Sequence, residues 1–287
     1  GTGSGQPNTD VWGYVSSATS NGFVVEKGSH STGSSTNTSG GTYVGWVWDA
    51  GSAFSNNAGS NGASIASSGK ASTTAGFSIV EFTGPSSAGF QGVYHGLNDK
   101  PEFILCKDRD NARNWSVYHK DSQISDVRVL PLNQDVGAFN SGTATWDISE
   151  INSNIFTPYF RDDYGASYSA DNIAYCWHSR AGFSQFGSYS GGSNPFIYTG
   201  MKPAWVLIRS LAGNEWMIYD TSRNAFNPTS SRLYANLANT EVDNTSHFID
   251  IVSNGFKVRS TGGALGAAGN TYIYAAFGDP FKTALAR

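Results

Sequence analysis

Residues 75–84 read AGFSIVEFTG and residues 181–191 read AGFSQFGSYSG, and the likeness continues in order along the chain. PEFILCK at 101–107 returns as PAWVLIR at 203–209, and WSVYH at 115–119 returns as WMIYD at 216–220. WDI from Trp146 matches FID from Phe248, SNIF from Ser153 matches SNGF from Ser253, and IAYCW ending at Trp177 matches IYAAF ending at Phe277. The offsets are 106 for Phe77 to Phe183, 102 for Pro101 to Pro203, 101 for Trp115 to Trp216 and 100 for Trp177 to Phe277. Ordered anchors at a nearly fixed offset point to a repeated structural unit of about 100 residues. One copy covers 75–180 and a second covers 181–287.

The last two segments of the unit occur a third time. SNGFVVEKG from Ser20 resembles SNGFKVRST from Ser253, and GTYVGWVW at 41–48 resembles NTYIYAAF at 270–277. Residues 1–54 therefore read as the C-terminal part of a preceding copy. A sheet left incomplete in this way would expose unpaired edge groups, so further chain or another molecule is expected to complete it. Residues 55–74 are rich in Gly, Ser, Ala and Asn and read as a linker or extended arm.

Gly (34) and Ser (39) together make up about a quarter of the 287 residues, and the aromatic residues fall in short runs with Val, Ile and Thr. That is strand and turn chemistry. The expected strands of the first unit are 77–83, 91–95, 102–107, 114–119, 145–149, 154–159 and 172–178. FILC and IAYCW are apolar on both faces, whereas the other strands alternate. The mixture predicts an all-β chain of tandem antiparallel β-sandwiches, jelly-roll-like, with a partial N-terminal repeat. The expected core runs through Phe77, Val80, Phe103, Val117 and Phe156 in one unit and Leu207, Trp216, Ile218 and Phe256 in the other.

Eighteen basic against 22 acidic side chains give a net charge of −4, and the charged fraction of 14% is well below the roughly 25% usual for soluble domains. A nucleic-acid partner held by basic charge is excluded. The longest apolar runs, 204–208 and 272–277, fall far short of the roughly 20 residues of a membrane helix, so no membrane insertion is expected. Residues 1–20 carry no basic stretch followed by an apolar run, the pattern of a secretory signal. Cys106 and Cys176 sit inside apolar runs and read as buried free thiols, too few for a disulfide framework.

Chemistry-bearing patterns are sparse. Histidines 30, 95, 119, 178 and 247 show no metal-ligand spacing, and no G-x-S-x-G element is present, so neither a metal nor a cofactor nor a catalytic residue is expected. The carboxylate pairs Asp147/Glu150, Asp162/Asp163 and Glu215/Asp220 sit in no catalytic pattern. The densest charged stretch is the loop after PEFILCK, with Asp108, Arg109, Asp110, Asn111 and Arg113; its counterpart at 210–214 is nearly uncharged. A divergent loop on a repeated scaffold is where ligand recognition is expected. Tyr164, Tyr168 and Tyr189, in Gly-rich stretches, are candidate rings for stacking on sugars.

Taken together, AGFSIVEFTG, the step Val93-Tyr94-His95-Gly96-Leu97 into PEFILCK, NWSVYHKD, IAYCW, FGSYSG, SNGFKVRST and YIYAAFGDPFK resemble a repeat domain common in virion-associated proteins of marine tailed phages. The likeness covers 75–287 well and 11–54 in part. It implies location at the virion surface, outside the cell; with the tandem sandwiches, the low charge, the Ser, Gly and Asn richness and the absence of catalytic motifs, the expectation is a non-enzymatic fibre, spike or decoration protein that adheres to a host-cell glycan, the alternatives being a structural self-assembly module without a ligand and a polysaccharide-cleaving enzyme. Expected partners are other virion proteins or identical copies, a homo-oligomer of the trimeric kind frequent among fibres. It implies no catalytic residue. The second copy departs locally, reading PFIYTGMKP in place of the V-x-H-G-L step, so a site built on His95 would not recur.

Overall fold

The computed structural model describes residues 11–19, 22–31, 36–122, 128–142 and 144–279; the remaining parts of the N-terminal and C-terminal expectations, 1–10 and 280–287, lie outside the described residues. The chain is all-β, and its strands pair antiparallel throughout. It divides into two compact units, one ending at Val47 and a larger one beginning at Trp48.

In the smaller unit β1 (Tyr14–Thr19) and β2 (Gly22–Glu26) form a hairpin with Thr19 opposite Gly22 and an irregularity between Val15 and Ser17. Residues 41–47 are in no strand. The sequence likeness made them the equivalent of the last strand of a unit, a strand that elsewhere is held by a neighbour on each side.

The first part of the larger unit contains β3 (Ser52–Asn56), β4 (Ser67–Ser72), β5 (Phe77–Thr83), β6 (Gly89–Phe90), β7 (Val93–Tyr94), β8 (Phe103–Asp108), β9 (Ser116–His119), β10 (Arg128–Val129), β11 (Phe139–Asn140), β12 (Ile155–Phe156), β13 (Tyr159–Phe160) and β14 (Asp171–Trp177). The second part contains β15 (Ser184–Ser190), β16 (Phe196–Tyr198), β17 (Pro203–Ser210), β18 (Met217–Asp220), β19 (Ser231–Tyr234), β20 (Val242–Asp243), β21 (Ile249–Val252), β22 (Gly255–Val258) and β23 (Thr271–Gly278). Two six-stranded sheets result, ordered β3-β4-β5-β14-β8-β9 and β15-β23-β17-β18-β19-β20.

The runs β5-β14-β8-β9 and β15-β23-β17-β18 place the matching sequence segments in the same order. Finer features match as well. Gly96 and Gly200 hold φ of 75° and 74°, a left-handed turn that an L side chain resists. The His95 N–H donates to the Asn154 carbonyl (3.1 Å) and the Thr199 N–H to the Asn254 carbonyl (3.0 Å). Trp115 and Trp216 each donate a backbone N–H to an Asn side chain, Asn133 (2.8 Å) and Asn236 (3.0 Å). PFIYTGMKP thus makes the same turn as the V-x-H-G-L step, with Thr199 at the place of His95.

Of the two composition-based readings of 55–74, a linker or an extended arm, the strand pairing corrects the first. These residues are no free linker: β4 pairs with β5 from Ser68↔Glu81 to Ser72↔Phe77, and β3 pairs with β4. Gly69 permits this, because a Cβ there would fall 1.9 Å from the Ile79 carbonyl oxygen. The expected strand at 145–149 is reduced to a single bridge between Trp146 and Pro158, and the stretch at 154–159 splits around Pro158 into β12 and β13.

Each large sheet buries one face under its own layer of short strands. In the first half Val80, Phe82, Ile104, Cys106, Ala174 and Cys176 pack against Val93, Leu97, Trp146, Phe156 and Phe160. In the second, Val206, Ile208, Met217, Tyr219 and Tyr274 pack against Ile197, Ile249, Ile251 and Phe256. The opposite faces of the two sheets pack on each other, Phe103 stacking on Phe186 (5.6 Å) and Trp177 meeting Phe277 edge-on (6.3 Å). Strands β8, β14, β17 and β23 are therefore covered on both faces, which is why their sequences lack polar alternation. Both thiols are free and buried, and burial pushes Cys106 up to about 12.

Candidate ligand groove

Strand β8 ends in Lys107 and Asp108, whose polar ends are tied down locally. Lys107 Nζ donates to the Asn111 carbonyl (2.8 Å) and to that of Asp108. Burial pushes the ammonium below its ordinary value, partly offset by the Asp108 charge. Asp108 Oδ1 accepts the N–H groups of Asp110 (2.8 Å) and Asn111 (2.9 Å), and Oδ2 accepts Asn111 Nδ2 (3.0 Å). Burial raises the Asp108 carboxyl, but hydrogen bonds from Ser167, Asn111 and Asp110 outweigh that and hold it below the usual carboxylate range. Asp108 is thus the buried cap of a turn.

Asp110 reaches the neighbouring strand, its Oδ2 accepting the Asp171 N–H (2.7 Å). Asn114 joins the loop to the stretch around Tyr164 through a bridge. Seven of the eight sequence-predicted residues, Asp108, Arg109, Asp110, Asn111, Arg113, Tyr164 and Tyr168, therefore gather at one end of the first sheet, in two adjoining loops, whereas Tyr189 lies on β15 of the other sheet. The rings are not open stacking surfaces. Tyr164 lies under the Arg161 guanidinium (5.5 Å) and edge-on to Phe139 (6.1 Å). Tyr168 packs on the first core and donates its hydroxyl to Asp162 Oδ2 (2.6 Å), a bond that raises its pKa. Tyr189 stacks on Tyr272 (5.0 Å) and donates to the Leu265 carbonyl (2.8 Å).

Beside these loops the ends of β3, β4, β5 and β14 enclose a groove of about 360 Å³, and of the seven only Arg109 lines it. The other polar lining residues are Ser55, Asn56, Asn57, Ser67, Ser68, Glu81, Thr83, Asp171 and Asn172, with Ala66 and Phe82 the apolar ones. Arg109 Nη1 pairs with Glu81 Oε1 at 3.1 Å, both half open to solvent, and Thr83 Oγ1 donates to Asp171 Oδ1 (2.8 Å). Half of this wall escaped sequence reasoning because it lies on β3 and β4 or directly beside them, where the composition reads as linker. The usable signal was the alternation in β5, which places Glu81 and Thr83 on one face.

Among the described residues no cluster of three or more His, Cys, Asp or Glu side chains could hold a metal, and no helix is long and apolar enough to cross a membrane. His95 and His119 are buried. Each accepts a backbone N–H at Nδ1, from Leu97 (3.2 Å) and Asp121 (3.2 Å), so each Nε2 carries the hydrogen and donates it, to the carbonyls of Asn152 (3.2 Å) and Tyr274 (3.1 Å). Burial pushes both rings down to about 4, and both are neutral fixtures of the fold.

A family model described as a domain of unknown function, DUF7483, matches residues 3–280. The chain belongs to this family. No curated protein and no solved structure matches it. The match runs through both halves of the larger unit and nearly all of the smaller one, so the family domain includes the groove and the hairpin β1–β2 together.

Proposed function

We propose that this family domain is a non-enzymatic adhesion module that holds the hydroxyl groups of a cell-surface glycan in the groove at the β3-β4-β5-β14 end. The supporting observation is the lining: hydroxyls and amides that both donate and accept, with Arg109 and Glu81 already paired at 3.1 Å and a second carboxylate, Asp171, accepting the Thr83 hydroxyl. Such a surface offers many directional contacts and little net charge, which suits a hydroxyl-rich neutral ligand. The resemblance to phage virion repeats supports display on a particle surface outside the cell.

A second reading, a structural self-assembly module without a ligand, draws on the hairpin β1–β2, where Val15, Phe23 and Val24 are exposed. A third, polysaccharide cleavage, draws on Glu81 and Asp171 lining one groove. A glycosidase acid must be held protonated. Glu81 is instead already paired with the Arg109 guanidinium at 3.1 Å.

The full chain applied to a glycan array, with and without divalent cations and at two salt concentrations, is expected to bind, and Thr83→Val is expected to weaken the signal. Silence under every condition removes adhesion. Sugar release that disappears in Glu81→Gln replaces it with hydrolysis.

A further inference from the structure

The outer face of the second half carries two rings that the first half lacks or covers. Phe196 and Tyr198 sit two residues apart on β16, hence on one side of the strand about 6.8 Å apart, and are 51% and 67% exposed. Between them Ile197 points inward to the core. Opposite Tyr198 the partner strand has Gly255, and opposite Phe196 it has Lys257. No side chain fits at Gly255, since a Cβ would fall 2.0 Å from the Ile197 carbonyl oxygen, and the Phe196 ring lies over that position, its Cε2 3.2 Å from where the Cβ would stand. The Tyr198 hydroxyl lies 3.7 Å from where a Gly200 Cβ would stand, so the ring runs along the turn. Beyond Gly200 opens a hollow of about 370 Å³ whose polar lining is Lys202, Thr221, Ser253 and Asp279.

The first half shows how protein covers the equivalent face. There Tyr94 stands for Tyr198 and Gly92 for Phe196. The arm that carries β3 and β4 lies over both: Phe54 meets Tyr94 edge-on (5.5 Å), the Ser64 N–H donates to the Gly92 carbonyl (2.8 Å), and the Gly92 N–H donates to Ser64 Oγ (3.1 Å). That approach needs glycine; a phenylalanine side chain stands in its way. The second face is therefore not built for such an arm. Nor is it large enough for a general protein partner, because two rings at these exposures offer on the order of 250 Å², against about 800 Å² per partner in a standard interface.

We infer that Phe196, Tyr198 and the adjoining hollow form a second saccharide subsite, which takes a neutral hexopyranose chain: the apolar face of one sugar lies on the rings and the hydroxyls of the next reach Lys202, Thr221, Ser253 and Asp279. This rests on the adhesion reading above and extends it to the other half of the molecule. Flat rings with a polar rim suit a pyranose, which has C–H groups on a face and hydroxyls around its edge.

The test uses the full chain on an array of neutral hexose oligosaccharides, with Phe196→Ala, Tyr198→Ala, Tyr198→Phe and the groove variant Arg109→Ala. Both rings are surface groups, so the variants are expected to keep the wild-type melting midpoint. Support is a loss of at least tenfold in apparent affinity for each alanine variant, with Tyr198→Phe within about threefold of wild type. Binding that Arg109→Ala abolishes and the ring variants leave intact overturns this subsite while the groove reading survives. Failure of the wild type to bind any oligosaccharide overturns both. Loss of self-association on sedimentation of the ring variants, with no change on the array, assigns the rings to protein contact and overturns the subsite.

Discussion

The two halves of the larger unit share a strand order and diverge in what covers them. In the first, an arm rich in Ser, Gly and Asn lies on the sheet edge at β5 and on the outer face at Tyr94. In the second, β15 is the edge strand in the place of β5, and Phe196 and Tyr198 face solvent. A scaffold kept constant by its two cores has thus been given two different surfaces, a polar groove built partly from the arm and an open ring platform. The lesson is physical: positions that fill the space between sheets tolerate little change, whereas edges and outer faces are free to diverge.

The sharpest way to break the comparison is at the equivalent tryptophans. Trp216 is buried between the sheets, its Nε1 donating to the Pro131 carbonyl (2.9 Å) and the Arg209 guanidinium lying over the ring (5.3 Å). Trp115 is half-buried and stacks on Tyr175 (6.3 Å). Trp216→Ala is expected to cost roughly 3–5 kcal/mol, and Trp115→Ala about 1 kcal/mol, read from urea unfolding midpoints. Equal losses would mean that the two positions are not packed as different environments.

Acid should separate the halves next. His95 and His119 belong to the first half; Thr199 and Asp220 hold the same places in the second. The folded rings titrate near 4, below the ordinary 6.5, so the unfolded chain takes up protons first as pH falls. Their contribution is complete above pH 6.5 and is lost between 6.5 and 4, on the order of 3 kcal/mol for each ring. His119→Gln, which keeps a side-chain amide able to donate toward the Tyr274 carbonyl, is expected to flatten that slope in the unfolding midpoint plotted against pH. An unchanged slope would place the acid sensitivity elsewhere.

How far these differences could be read in advance follows from where they sit. The recurring segments stand out because core strands keep Phe, Trp, Ile and Tyr at fixed places, and β5, β8 and β14 fall within a residue or two of their expected ends. The arm did not, because β4 reads SSGKAS, a composition that says linker; only the neighbour that receives it, with Gly69 against the Ile79 carbonyl, makes it a strand. The charged loop was found by its charge, yet Asp108 caps a turn, Asp110 ties to the neighbouring strand, and of the loop only Arg109 faces the groove. The short strands of the outer layers, two to four residues each, leave no periodicity to detect.

The arm itself offers a third test, which grafts a feature of one half onto the other. Gly92→Phe puts the ring of Phe196 where the arm now lies, with the new Cβ 2.9 Å from Ile155 Cδ1 and 3.3 Å from the Gly62 carbonyl oxygen. Overpacking of this kind costs roughly 1–3 kcal/mol, and it should fall on the arm rather than on the sandwich. Limited proteolysis is expected to cut within 52–72 in the variant and to spare the same stretch in the wild type. Resistance at 52–72 in the variant would show that the arm tolerates a ring there, which removes the steric argument for the open platform.

The smallest effect on stability should be the most telling for function. Arg109 and Glu81 are an ion pair between half-exposed side chains, so Arg109→Ala is expected to change stability by less than about 1 kcal/mol. If the pair instead organises the groove, the same substitution leaves Glu81 uncompensated beside Thr83 and Asp171, and glycan binding should fall several-fold at an unchanged melting midpoint. The charge-reversed double variant Arg109→Glu with Glu81→Arg restores the pair but turns its geometry around. Recovery of binding in that variant would mean that the groove needs only a neutral rim, whereas continued loss would mean that the guanidinium itself touches the ligand.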